Sequence, residues 1–141
     1  MPYPPLRVFN TADECRTHFD GVYCQGAILS FDGIEVRFRQ SDFDHCFFES
    51  TNRNGIKDSF SRPRSERIDW IRAALQDDQA DLYQGWDKNR KRYDPNRRVC
   101  VVQTNYVVVI ALTGATKADF RTAFVADSGR TLRMIRTSPR W

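Results

Sequence analysis

His45 is the residue best suited to proton transfer in this chain of 141 residues. The ordinary pKa of an imidazole is about 6.5, so the ring can accept and donate a proton near neutral pH. Asp44 and Glu49 are close in sequence, where either carboxylate could orient the ring or raise its pKa. The aromatic segment 43–50, which we read as a strand, allows another explanation, a partly buried histidine packed among phenylalanines. The second histidine, His18, is predicted to be solvated on a polar helix face.

Arginine side chains are the next candidates, because a guanidinium group can donate two parallel hydrogen bonds to phosphate oxygens. Hydrophobic residues at helical spacing predict an amphipathic helix over Pro63–Gln76. Arg64 and Arg67 share one face of it, three residues apart. We take Arg67 as a catalytic candidate and Arg64 as a substrate contact. The ordinary alternative is a solvated helix face on which nearby carboxylates neutralise both side chains.

A polar segment, Asp87–Arg98, contains six basic residues and is predicted to be a loop. Clusters of this kind make phosphate contacts that do not depend on nucleotide sequence. We therefore expect Lys88, Arg90 and Arg98 to contact a phosphate-bearing substrate, with Arg136 near the end of the chain as a further contact. A charged loop exposed to solvent would have the same composition.

Hydroxyl groups on the predicted sheet complete the candidates. Thr122 is expected on the same face as Phe120 and Phe124, and a hydroxyl in an apolar stripe must find a hydrogen-bond partner. That partner could be a phosphate oxygen or a neighbouring carbonyl. Thr104 and Tyr106 flank a tight turn between two strands and are candidate substrate contacts for the same reason.

The overall composition permits nucleic-acid binding without establishing it, since the net charge is +4 and the pI is about 9.0. No apolar run approaches the roughly 20 residues that cross a bilayer, and the N-terminal residues do not resemble a signal peptide. We expect a cytoplasmic protein with no membrane partner, although a toxin domain delivered into a target cell would have the same features.

No cofactor or metal is predicted. The four cysteines include no CxxC pair and only two histidines are present, so a structural zinc site is not expected. Reduced cysteines packed in the core are the simpler interpretation, although disulfides remain open for an exported protein. There is also no Gly-rich loop of the kind that holds nucleotide phosphates.

The order of predicted elements is that of a single α+β domain. An Asp32-Gly33 turn predicts a hairpin, and the apolar run 107–112 predicts a central strand covered on both faces. We expect an antiparallel four-stranded sheet and a short C-terminal helix. The predicted segments are an extended arm over 1–10, helices over 10–19, 63–76 and 131–137, a loop over 51–61 with a turn at Asn54-Gly55, and strands over 27–31, 34–38, 82–86, 99–104, 106–113 and 120–126.

Residues 43–141 resemble the prophage-associated nucleases of the barnase–EndoU–colicin–RelE superfamily. The resemblance is carried by Arg67-Ile68-Asp69-Trp70-Ile71, by Leu82-Tyr83 with the paired strands that follow, and by Phe120-Arg121-Thr122-Ala123-Phe124. It implies helices followed by a four-stranded antiparallel sheet. The N-terminal hairpin is not part of the common core expected of that superfamily.

The resemblance implies a metal-independent endoribonuclease, often a bacterial or phage-associated toxin, acting on RNA such as tRNA and paired with an immunity or antitoxin protein. In such enzymes a base removes the ribose 2′-OH proton, the 2′-oxygen attacks the adjacent phosphate, and an acid protonates the leaving 5′-oxygen. Thr122 matches the strand hydroxyl and Arg67 the helix arginine, while His45 would transfer protons. The alternative is a non-catalytic module that binds nucleic acid or protein.

Overall fold

The computed structural model describes residues 3–49 and 59–141, and it confirms an α+β fold. The predicted loop 51–61 falls mostly, and its Asn54-Gly55 turn entirely, outside the described residues. The helices are α1 (Ala12–Tyr23), α2 (Asp42–Phe47), α3 (Arg62–Ser65), α4 (Ile68–Leu75) and α5 (Gly129–Arg136). The strands are β1 (Ile28–Leu29), β2 (Glu35–Arg37), β3 (Phe48–Glu49), β4 (Ser59–Phe60), β5 (Asp81–Asp87), β6 (Arg92–Val102), β7 (Tyr106–Leu112) and β8 (Lys117–Val125).

The main sheet has six strands in the order β1-β2-β8-β7-β6-β5. Strands β5 to β8 form the predicted antiparallel arrangement of four. The prediction that the sheet ends there is wrong, because the N-terminal hairpin extends it. Strand β2 pairs in parallel with the first residues of β8, Glu35 opposite Lys117 and Arg37 opposite Asp119, which makes the sheet mixed. Strands β3 and β4 form a separate two-stranded ribbon.

Helix α1 begins two residues after its predicted start and continues four residues past its predicted end at Phe19. The Thr11 hydroxyl accepts a hydrogen bond from the Glu14 amide, and the Glu14 carboxylate accepts one from the Asn10 amide. The first bond satisfies an amide that the helix N-terminus leaves unpaired, and the second holds the residue before the cap against the first turn. The helix continues past Gly21 because Phe19 and Tyr23, one turn apart, are both buried in the core.

Two helical regions also differ from prediction. Residues 42–47 form helix α2 rather than a strand, and this turns Phe43, Cys46 and Phe47 together into the core. The single helix predicted over Pro63–Gln76 is two helices, because Arg67 adopts a non-helical backbone conformation between α3 and α4. In α2 the buried side chains are three and four residues apart, which is the spacing of one helix face. In a strand, side chains two residues apart share a face, so Cys46 and Phe47 would point to opposite sides.

The first face of the sheet packs against α1 and α4 to form the larger hydrophobic core. Phe19 and Ile71 from the helices and Val108 and Phe120 from the sheet are fully or almost fully buried there. Phe38 stacks on Phe120 with ring centroids 4.6 Å apart. The stretch before α1 joins this side, since the Trp70 indole donates to the Pro4 carbonyl and the Tyr3 hydroxyl donates to Asp77.

A β-bulge in β8 decides which side chains reach the second face. Val109 is opposite Thr122 and Ile110 is opposite Phe120, so Arg121 is an extra residue without a partner. An extra residue reverses the alternation of side chains beyond it. The expectation that Phe120, Thr122 and Phe124 share a face is therefore wrong. Phe120 is in the core, whereas Phe124 packs with the smaller hydrophobic cluster on the second face.

The second face is covered by one short helix. Leu132 and Ile135 of α5 pack against a small cluster that includes Val99, Val101 and Val107, but no residue of α5 is itself buried. Ser128 caps the helix by accepting a hydrogen bond from the Thr131 amide. Because α5 covers only part of the face, a groove remains beside it. Among the described residues, no helix has the length and apolar character needed to span a membrane.

Candidate nucleic-acid interface

A groove of about 990 Å³ lies between α5 and the β5–β6 hairpin on the second face of the sheet. Its floor includes Val107, Val109 and Phe124 from the two central strands, and α5 contributes Met134 and Ile135 as one wall. An open apolar groove of this size on a sheet is a usual location for a ligand site.

The opposite wall is an aromatic pair on the hairpin. Trp86 and Tyr93 are direct cross-strand neighbours, with ring centroids 5.1 Å apart and planes at 75°. Trp86 is 49 % exposed and Tyr93 is 36 % exposed. Trp86 and Tyr93 are equally far from the turn at residues 88–91. A prediction of one hairpin over 81–102 would therefore have placed them opposite each other. The prediction of a loop over Asp87–Arg98 is wrong, because residues from Arg92 onward form β6 and pair with β5.

Arg97 and Lys88 place positive charge beside these rings. The Arg97 guanidinium donates to the Trp86 carbonyl at 2.8 Å, and both cationic residues line the groove. Gly85 makes room for this arrangement, because a Cβ atom at that position would lie 2.4 Å from the Arg97 Cγ and Cδ atoms. The segment 95–97 bulges out of register between Gln84 and Gly85, which lets Arg97 cross over the glycine.

Positive charge is concentrated in the part of the chain that forms the groove. Residues 81–141 carry 12 Lys and Arg against 5 Asp and Glu, whereas residues 1–80 carry 10 against 13. The net charges are therefore +7 and −3. Ten of the 12 cationic side chains are exposed. The net charge of +4 for the whole chain therefore understates the positive electrostatic potential near β5–β8 and α5.

His45 lies on the exposed side of α2, opposite the buried Phe43, Cys46 and Phe47. The alternative of a histidine packed among phenylalanines does not hold. Asp44, one possible partner, forms an ion pair of 2.6 Å with Arg16. Among the described residues, no hydrogen bond or ion pair joins His45 to Thr122 or Arg67.

Arg67 is held within its own helical region. Its guanidinium donates to the Pro63 carbonyl at 2.8 Å and to Glu66 at 3.1 Å, and it lies 5.4 Å from the Trp70 ring centroid. These contacts join α3 to α4 across the break between them. The side chain is 22 % exposed, and in this conformation its contacts hold the two helices together.

Arg64 and Thr122 lie along the outer edge of β8. Arg64 donates to the Cys46 carbonyl at 2.9 Å, and its guanidinium is 5.7 Å from the centroid of the Phe124 ring. Thr122 lines the groove. Burial raises the pKa of the Cys46 thiol to about 11, with smaller opposing influences from hydrogen bonds to Ala123 and Thr122 and from the Arg64 charge. Strand β2 pairs only with residues 117–119 of β8. The remaining outer edge of β8 is covered by α2 and α3.

A smaller cavity of about 180 Å³ adjoins the groove at Phe124 and Thr131. Its lining includes the charged residues Glu49, Arg64 and Asp127 and the hydroxyl-bearing residue Ser61. It brings two carboxylates and a guanidinium to one concavity beside β8. The sequence offered no signal for this arrangement, because Glu49 and Asp127 are far apart in the chain.

Arg98 and Tyr106 are core residues, which corrects the expectation that they contact substrate at the surface. Arg98 is 0 % exposed and its guanidinium donates to Asp32 at 2.7 Å, between the rings of Phe31 and Trp141. Although burial alone would raise it, hydrogen bonds from Ser30 and Arg98 hold the pKa of Asp32 below its ordinary value. The Tyr106 hydroxyl, 3.4 Å from the Arg67 carbonyl, is equally enclosed.

Arg136, Lys88 and Arg90 are also predicted substrate contacts and lie at the surface, but they differ in how far protein groups already engage their side chains. Arg136 donates to Asp81, to the Tyr83 hydroxyl and to the Thr104 carbonyl, which ties α5 to the sheet. The hydrogen bond to Asp81 raises the pKa of Arg136 above its ordinary value. Lys88 is exposed at the groove, and Arg90 in the same turn lies 3.9 Å from the Asp87 carboxylate.

His18 is paired with a carboxylate on the first face of the sheet. The His18 ring is 2.8 Å from Asp69, so the expectation of a solvated histidine is wrong. Burial would raise the pKa of Asp69, but hydrogen bonds from His18 and Arg7 bring it below its ordinary value. All four cysteines are free thiols. Within residues 3–49 and 59–141, no cluster of three or more His, Cys, Asp and Glu is positioned to hold a metal ion.

The site therefore consists of an apolar and aromatic groove with cations at its rim and a small charged cavity beside it, and His45 is not among the residues that line either one. Comparison of the chain with protein-family models, with curated proteins and with solved structures gives no match.

Proposed function

We propose that the protein binds RNA through the cationic surface formed by β5–β8 and α5. The observation that carries this proposal is the uneven charge distribution, +7 over residues 81–141 and −3 over residues 1–80. Phosphate contacts supply most of the sequence-independent affinity of proteins for nucleic acids. The resemblance of residues 43–141 to ribonucleases of the superfamily named above favours RNA as the ligand.

Salt dependence is the direct test of this proposal. A labelled RNA of mixed sequence is titrated at several salt concentrations with wild-type protein and with Arg130→Ala, which removes an exposed cation of α5. The variant is expected to bind several-fold more weakly, and its salt slope should fall by about one unit. Arg16→Ala is the matched control, because Arg16 is an exposed cation of α1, which packs on the first face. Equal losses in both variants, or RNA affinity that is independent of salt, would contradict the proposal.

Cleavage of the bound RNA by 2′-OH transesterification is the second candidate function. The specific observation in its favour is the cavity beside the groove, which holds a carboxylate, Glu49, and a guanidinium, Arg64. A base and a cation close together meet two requirements of that reaction. His45 is exposed and remains the candidate acid from the sequence, whereas Arg67 and Thr122 would act by positioning.

Two substitutions separate the candidate proton-transfer groups. Purified wild-type, Glu49→Gln and His45→Ala proteins are incubated with RNA in the presence of EDTA, and the products are resolved on a gel. Cleavage that is insensitive to EDTA and lost in either variant supports an endoribonuclease and identifies the group. RNA that stays intact with the wild-type protein, at concentrations that saturate binding, identifies a non-catalytic module.

A further inference from the structure

We propose that the groove between α5 and the β5–β6 hairpin is a binding site for unpaired bases. The inference rests on the proposed RNA binding, and it adds that the ligand is a single strand whose bases enter the groove. Duplex nucleic acid presents stacked and paired bases that cannot insert into such a site, whereas single strands offer their flat faces to aromatic side chains.

The first argument is the placement of aromatic surface. Trp86 and Tyr93 are cross-strand neighbours that remain 49 % and 36 % exposed. Their planes meet at 75°, so the two rings form a corner and do not cover each other's faces. Large aromatic side chains usually bury most of their area. An exposed aromatic corner at the mouth of an apolar groove can be covered by a base stacking on the indole.

The second argument is the charge at the same place. Arg97 is fixed beside Trp86 by its hydrogen bond to the Trp86 carbonyl, and Lys88 follows two residues after that ring. Exposed Arg130 and Arg133 of α5 are next in sequence to Thr131 and Met134, which line the groove. A ligand that is apolar and flat on one side and anionic on the other complements this combination. Single-stranded RNA has that chemistry, with bases on one side and phosphates on the other.

The third argument is depth. The groove has a volume of about 990 Å³ and an aliphatic floor of valines from β6 and β7. Phe124 extends this floor, and Met134 stands in the wall that α5 forms. Stacking between an aromatic side chain and a base tolerates any nucleotide, because every base has a π-face. We therefore expect weak sequence preference and a strong preference for unpaired RNA.

The test compares three probes of equal length: a single-stranded RNA, the corresponding duplex, and the single strand with abasic sites at its central positions, which has the same backbone charge as the intact single strand. Wild-type protein should bind the single strand about tenfold more tightly than the abasic strand. Binding of the single strand should also quench tryptophan fluorescence, because a base stacks on Trp86.

Trp86→Ala should lose this discrimination and bind the intact and abasic strands equally, about tenfold more weakly than wild type binds the intact strand. Leu29→Ala is the matched control. It removes an exposed apolar side chain from β1, the opposite edge of the sheet, and should behave as wild type.

The outcomes separate this inference from the proposed function. Salt-dependent binding that is the same for the intact and abasic single strands, that is no weaker for the duplex, and that Trp86→Ala leaves unchanged, would overturn the base-binding site while leaving RNA binding intact. The same holds if the groove instead accommodates a protein segment and RNA does not compete with it. Failure of every probe to bind would overturn both.

Discussion

The two faces of the six-stranded sheet are covered to very different degrees. On the first face α1, α4 and the N-terminal stretch bury a continuous set of aromatic and aliphatic side chains. On the second face a single helix of eight residues leaves a groove, and none of its own residues is buried. Apolar surface that a protein leaves open is available for a ligand. The comparison indicates that stability resides mainly on the first face, while the second face is the one to which we assign the proposed RNA binding.

Two phenylalanines of β8 provide the largest expected contrast. Phe120→Ala removes a ring that is 1 % exposed in the main core, and it should lower the free energy of unfolding by about 3–5 kcal/mol. Phe124→Ala acts on the partly buried second face and should cost about 1–2 kcal/mol. Urea unfolding of both variants measures the difference. Equal losses would mean that the second face is as tightly packed as the first.

The buried ion pair between Arg98 and Asp32 tests the first face electrostatically. Asp32→Asn leaves the enclosed Arg98 without its carboxylate, at a cost of about 3 kcal/mol at neutral pH. Asp44→Asn is the control, because it breaks the exposed pair with Arg16 and should cost less than about 1 kcal/mol.

The pH dependence of that difference has a definite sign. The pKa of Asp32 is lowered by folding, so its contribution is complete above the ordinary value of 3.8 and declines as pH falls below it. The stability gap between wild type and Asp32→Asn should therefore be constant near neutral pH and close in acid. A gap that widens on acidification would contradict the assignment.

Gly85→Ala tests whether the second face is built for Arg97 and Trp86. The added methyl group would overlap the Arg97 side chain, so we expect a loss of about 1–2 kcal/mol and weaker RNA binding as Arg97 moves. Gly114→Ala is the control, because a Cβ atom there meets no other atom within 4 Å. Thermal unfolding and RNA titration are measured on both proteins. Unchanged RNA affinity in Gly85→Ala would separate Arg97 from the interface.

Met134 provides the smallest effect on stability. It is 62 % exposed on α5, so replacing it with Glu or Lys should change the free energy of unfolding by less than about 0.5 kcal/mol. The two charges should nevertheless act in opposite directions on RNA affinity, Glu weakening it and Lys preserving or strengthening it. Filter binding at low salt resolves the difference. Similar RNA affinities of the two variants would show that α5 does not contact the bound RNA.

The sequence predicts the elements that depend on local signals. The cap at Thr11, the Asp32-Gly33 turn and the apolar run of β7 each correspond to an observed element. Features that depend on distant partners could not be read in the same way. The bulge at Arg121 reverses the faces of β8, and nothing in an alternating Phe-x-Thr-x-Phe pattern reveals an extra residue.

The candidate site shows the same division at the level of single residues. Arg98 and Lys88 belong to one basic run, yet Asp32, 66 residues away, draws Arg98 into the core while Lys88 remains at the groove. Composition identifies a cationic half, but only tertiary pairing decides which cations are available. Similarly, Tyr93 becomes a binding candidate only once Trp86 is known to be its neighbour across the hairpin.

The parallel pairing of β2 with β8 has a consequence for how the chain folds. It joins segments about 80 residues apart, and the entropy of closing so long a loop disfavours its early formation. Strands β5 to β8 are connected by short turns and can assemble without the N-terminal third. We expect the meander to lie in the folding nucleus and the β1–β2 hairpin to dock late. Substitutions in β2 should then accelerate unfolding and leave the folding rate almost unchanged.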